Sequence, residues 1–97
     1  MSAFGGRTTK LMSLSAREFA DSIAKIGQHR ANPDGSKRFD LNGGHVDIAY
    51  APQEGVRLGG LLELPRALVT LNFAGVADDD RTRFLRTFEI AFQRGGG

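Results

Sequence analysis

The residue pattern predicts an α+β domain, a two-layer sandwich in α-β-β-β-β-α order with a four-stranded, mainly antiparallel sheet covered on one face by two helices. Three observations carry that expectation. Between Val46 and Phe73 apolar residues recur at every second position, a helix with its own start signal precedes that stretch, and an aromatic stripe at helical spacing follows it. A sheet with one apolar face needs one layer of cover, and the two flanking helices are what the chain has to supply it.

Met1–Met12 shows little periodicity and contains Gly5-Gly6, so it reads as a flexible lead-in ahead of a domain spanning residues 13–94. Ser15-Ala16-Arg17-Glu18 is a capping box, in which each end side chain satisfies the other's backbone N–H. Leu14 before the cap and Phe19 at the fourth helical position form the matching hydrophobic staple. Phe19, Ile23 and Ile26 then share a face with Ala20 and Ala24, and Gly27 is a suitable stop, which predicts a helix over Ala16–Ile26. Gln28–Lys37 is a polar loop around the turn-forming run Asn32-Pro33-Asp34-Gly35.

A short strand, Phe39-Asp40-Leu41, meets Asn42-Gly43, a dipeptide suited to the type I′ turn of a tight hairpin. With those two residues at the tip, Phe39 pairs with Val46 on the apolar face, while Asp40 opposes His45 and Arg38 opposes Asp47 on the other. Val46, Ile48 and Tyr50 continue one side of the next strand. Ala51–Gly55, with Pro52 and Gly55, reads as a loop. A third strand follows over Val56–Leu64, in which Gly59-Gly60 reads as a bulge. Leu64-Pro65-Arg66-Ala67 is expected to be a tight reversal with Pro65-Arg66 at its tip, setting Leu62 opposite Val69 and Gly60 opposite Leu71. The alternative is one long strand with Pro65 at an edge.

Val69, Leu71 and Phe73 mark the last strand, which Gly75 ends. Asp78-Asp79-Asp80 opens the second helix and Arg94 lies toward its end, both complementing the helix dipole. Phe84, Leu85, Phe88, Ala91 and Phe92 form the apolar stripe that makes this helix the main lid. Gly95–Gly97 reads as an unstructured tail. Its glycines after a basic residue resemble the tails of ubiquitin-like and sulfur-carrier proteins, which follow a strand of a β-grasp sheet. Here the tail follows a helix, and the order lacks the grasp's central helix, so a linker or truncated end is the reading kept.

Ninety-seven residues make one domain with room for one modest core. The absence of cysteine excludes a disulfide framework, a thiol nucleophile and a zinc-thiolate site. No apolar run approaches the roughly 20 residues of a membrane span, and no signal-like apolar segment opens the chain, so a cytoplasmic location is the default expectation. The net charge of +2 is uneven: Met1–Arg38 carries seven Lys or Arg against three acids, and Phe39–Ala77 two against four. A basic front half points to an anionic partner.

No G-x-S-x-G, Walker or H-E-x-x-H pattern is present, and no catalytic residue, cofactor or metal is assigned. The leading expectation is a small non-catalytic binding domain whose partner is another protein or a second copy of itself, because its sheet is rich in apolar residues and has open edges. A competing reading is a module for nucleic acid or another anion, using Arg30, Lys37 and Arg38 around the first loop and Arg83, Arg86 and Arg94 around Ile90 on the second helix. A third is an enzyme centred on His45, with Asp40 or Asp47 orienting its imidazole.

Overall fold

The chain runs β1 (Gly5–Met12), α1 (Ala16–Ile26), β2 (Arg30–Ala31), β3 (Lys37–Leu41), β4 (Gly44–Leu58), β5 (Leu62–Ala74) and α2 (Asp78–Ala91). The computed structural model describes residues 5–60 and 62–93. All five strands join one antiparallel sheet in the order β1-β5-β4-β3-β2. The α+β class is as expected, but the strand count is five rather than four and the order gains a leading strand.

Three differences produce that correction. Gly5–Met12, within the expected lead-in, pairs residue for residue with β5, from Gly5 opposite Ala74 to Met12 opposite Ala67. An edge strand with one neighbour is held by its ladder, so it needs no apolar alternation of its own, and none signals it in the sequence. The second difference concerns the middle of the sheet. The chain reverses at Gly59-Gly60, with Leu58 opposite Leu62, and runs straight through Pro65. Gly59 and Gly60 have φ of 63° and 73°. Two successive positive-φ residues match the right-handed twist of a hairpin, whereas the type I turn open to Pro65-Arg66 would splay its strands. The expected loop at Ala51–Gly55 is also strand. The ladder slips there, with Gln53 opposite Arg66 and Val56 opposite Leu64, so Glu54 and Gly55 together face Pro65. A bulge is where a proline without an N–H costs the ladder least.

The third difference is β2: Arg30–Ala31, inside the expected polar loop Gln28–Lys37, pairs with Lys37 and Arg38 of β3 once the turn at Asn32-Pro33-Asp34-Gly35 folds the loop back. The remaining local signals are realised as predicted. In the capping box of α1, the Glu18 N–H donates to Ser15 Oγ at 3.1 Å and the Ser15 N–H donates to Glu18 Oε1 at 2.9 Å. The Asn42-Gly43 hairpin has the expected register, Phe39 with Val46, Asp40 with His45 and Arg38 with Asp47. At that corner backbones touch: a Cβ on Gly44 would collide with the Ala74 carbonyl oxygen and stand 2.7 Å from the Gly75 carbonyl carbon, and one on Gly75 would meet the Gly43 oxygen at 2.9 Å. Arg94 and Gly95–Gly97 lie outside the described residues, as does the lead-in before Gly5.

Among the described residues, every buried one of the sheet comes from one face: Phe39, Val46, Ile48, Ala67, Val69, Leu71 and Phe73. Both helices stand on it. Phe19 of α1 packs on Tyr50 at 5.1 Å between ring centroids, and Phe84 of α2 packs on Phe39 at 5.6 Å and Phe73 at 6.0 Å. Phe19 and Phe92 close the seam between the helices at 5.9 Å, and Phe88, stacked on Phe92, is wholly buried. Burying side chains of this size contributes about 1.5–3 kcal/mol each relative to exposure. Among the described residues, no helix is long and apolar enough to cross a membrane.

The helices do not reach the end of the sheet. β4 has 15 residues, about 50 Å of extended chain, while the 14 residues of α2 span only about 21 Å. The molecule measures 48 × 25 × 25 Å, and the distal part of the β4–β5 hairpin projects as an arm beyond the layer of helices.

Candidate interaction surface

Two surfaces are left for function: the sheet face turned away from the helices, and the arm that extends it. The register sets the uncovered face out in rows. One row reads Arg7, Asn72, Asp47, Arg38 and Arg30 across all five strands, and the next toward the arm is Thr9, Thr70 and Ala49. Beyond it come Leu11, Leu68 and Ala51. The face is therefore polar and charged at the β2–β3 corner and apolar at the base of the arm.

The charged corner is built around Asp47. Arg38 donates to it twice, Nε to Oδ1 at 2.8 Å and Nη2 to Oδ2 at 3.0 Å, the fork geometry that guanidinium and carboxylate share. Asn32 Nδ2 adds a third bond at 2.9 Å and a further one to Ser36 Oγ at 2.8 Å, which ties the loop before β3 to β4. Asp34 accepts from the Ser36 hydroxyl at 2.7 Å and from its N–H at 2.9 Å, closing the predicted turn. The Arg38 hydrogen bonds hold the Asp47 carboxyl below the usual aspartate range, with Asn32 adding to the effect and partial burial opposing it. The same pair raises Arg38, and the Ser36 bonds lower Asp34.

The sequence-predicted residues are distributed around this frame. His45 stands opposite Asp40 in the register, and its Nε2 lies 3.7 Å from Asp47 Oδ2. Both carboxylates are engaged by arginine, Asp47 by Arg38 and Asp40 by Arg30 Nη2 at 2.8 Å. Among the described residues, no three His, Asp or Glu side chains gather as a metal ion would require. Arg30 and Arg38 are neighbours on the open face, whereas Lys37, opposite Ile48, lies on the helix-bearing face and lines a recess with Phe19 and Tyr50. Arg83 and Arg86 are exposed on α2, in the other layer, with Ile90 66% exposed beside them and Arg83 paired with Asp80 at 2.8 Å. Arg94 is outside the described residues. The two arginine groups thus occupy opposite layers and do not form one patch. A recess of about 560 Å³ lies at the margin of β3, lined by Ala24, Gly27, Gln28, His29, Arg30 and Asp40. His29 itself packs on Phe39 at 5.3 Å and bonds the Gly27 carbonyl oxygen at 3.0 Å.

The apolar end is what sequence reasoning missed. Leu11 is 53% exposed in a row with Leu68 and Ala51, and Leu64 farther along is 37% exposed. None of the described side chains between 51 and 66 is buried. Yet the arm's sequence is rich in aliphatic residues, with Val56 paired to Leu64 and Leu58 to Leu62 in the ladder. A signal was available: V-R-L and L-E-L flank the two glycines almost symmetrically, as the two limbs of a hairpin do.

No protein-family model, curated protein or solved structure matches this chain.

Proposed function

We propose that the chain is a small non-catalytic interaction domain that self-associates through the β4–β5 arm and the apolar row at its base. One observation carries this reading: an aliphatic-rich hairpin projects past the helices with none of its described side chains buried, and it continues into an exposed row containing Leu11. A two-stranded ribbon alone is marginal in water, and an apolar one gains stability when a second surface covers it. The occupant is a second copy. The arm's charges, Glu54 and Glu63 against Arg57 and Arg66, sum to zero, so two arms approach without repulsion. Arg57 and Glu63 pair in the ladder, leaving neither sign in excess for a strongly charged partner.

Size-exclusion chromatography with light scattering tests it. The expected mass is twice the chain's 10.5 kDa, and Leu64→Asp combined with Leu11→Asp is expected to return a folded monomer. A wild-type monomer at submillimolar concentration overturns the proposal.

A further inference from the structure

β1 is an open edge. Its eight residues pair with β5 on one side, and among the described residues no strand pairs with the other. Such an edge presents unpaired N–H and C=O groups in strand geometry, ready to extend the sheet by one more chain. Its side chains then select which chain. β1 contains Arg7 and Lys10 and no acidic residue. Arg7 lies on the uncovered face, where its Nε donates to Asn72 Oδ1 at 3.0 Å. Lys10 lies on the helix-bearing face, its Nζ 3.5 Å from Glu89. Neither is held by the forked bond that neutralises Arg38.

A second β1 does not fit this edge. A two-fold that extends the sheet keeps the helices of both copies on one side, so the antiparallel strands meet about a single residue. Centred on Thr8, it sets the two Arg7 residues diagonally across the junction, and centred on Thr9 it does the same for the two Lys10 residues. Diagonal neighbours are about 7–8 Å apart, close enough for like charges to oppose each other. An acidic extended segment meets the same strand favourably: in antiparallel pairing, acids three residues apart fall opposite Lys10 and Arg7.

From this edge and its charge we infer that β1 is a docking site for an extended acidic segment of another protein, bound by strand addition in a Glu-x-x-Glu register. The inference extends the interaction-domain reading but uses a different surface from the arm, so either can fail alone.

The test compares two blocked peptides, acetyl-Val-Glu-Val-Thr-Glu-Val-amide and its counterpart with both Glu replaced by Lys, titrated into isotopically labelled protein while amide shifts are followed. The acidic peptide is expected to bind about tenfold more tightly, as two exposed charge pairs gained rather than opposed imply. The shifts should concentrate on residues 5–12 and their β5 partners. In Arg7→Glu/Lys10→Glu the preference should invert. Equal binding of the two peptides, binding centred away from β1, or no binding of the acidic peptide to the wild-type protein overturns the inference, and the wild-type comparison stands whether or not the double variant folds.

Discussion

Asp47 receives bonds from Arg38 and Asn32 and stands beside His45, so one carboxylate joins β4 to β3 and to the loop that precedes it. Asp47→Asn keeps the side-chain shape and removes the charge. With the pair partly exposed, the expected cost at neutral pH is about 1 kcal/mol, read as a fall in melting temperature of about 4–8 °C for a domain this size. The acid behaviour follows from the direction of the shift. Asp47 titrates below its ordinary value when folded, so its stabilisation is complete above the unfolded aspartate value of about 3.9 and fades as pH falls through the lower folded one. Urea midpoints taken from neutral to acid pH should therefore drop less steeply in Asp47→Asn than in the wild type, and parallel curves would refute the role given to this residue. The Arg38–Asp47 pairing was legible in the sequence because an Asn-Gly turn fixes the register for several residues on either side. The Asn32 bond was not, since it depends on how the polar loop folds back, and no periodicity encodes that.

The β4–β5 hairpin shows where element-level reading succeeds and where it stops. Alternation marked the inner parts of both strands, but Gly59-Gly60 read as a bulge and Pro65-Arg66 as the turn, and the ladder reverses those roles. β1 was invisible for the opposite reason: its residues follow no alternation, because its neighbour supplies the bonds that keep it extended. The arm contributes no described side chain to the core. Joining Pro52 to Ala67 by an Asn-Gly turn, at a point where they already face each other, should therefore leave a folded body. Circular dichroism should show cooperative melting within a few degrees of the full chain, about the effect of losing exposed residues alone. Light scattering should show a monomer. A trimmed chain that fails to fold would mean that the arm stabilises the body, and one that still self-associates would place the contact elsewhere.

At the scale of the whole molecule, the aromatic side chains that join helices to sheet form one connected cluster, and Phe88 is its most enclosed member. Phe88→Ala is expected to cost about 3–5 kcal/mol, much of the roughly 5–15 kcal/mol that holds a domain folded. Equilibrium urea unfolding measures it, and a loss below about 1 kcal/mol would show that α2 is not the main lid. The helical spacing of Phe84, Phe88 and Phe92 made this lid readable from the sequence alone.

The close approach of Gly43 and Gly44 to Gly75 makes the entrance of β4 and the exit of β5 a single stitched joint. No side chain fits between them, so neither loop can be rebuilt alone. A designer lengthening the first hairpin must therefore rebuild both partners together, because the three positions are sterically coupled although some thirty residues of chain separate them.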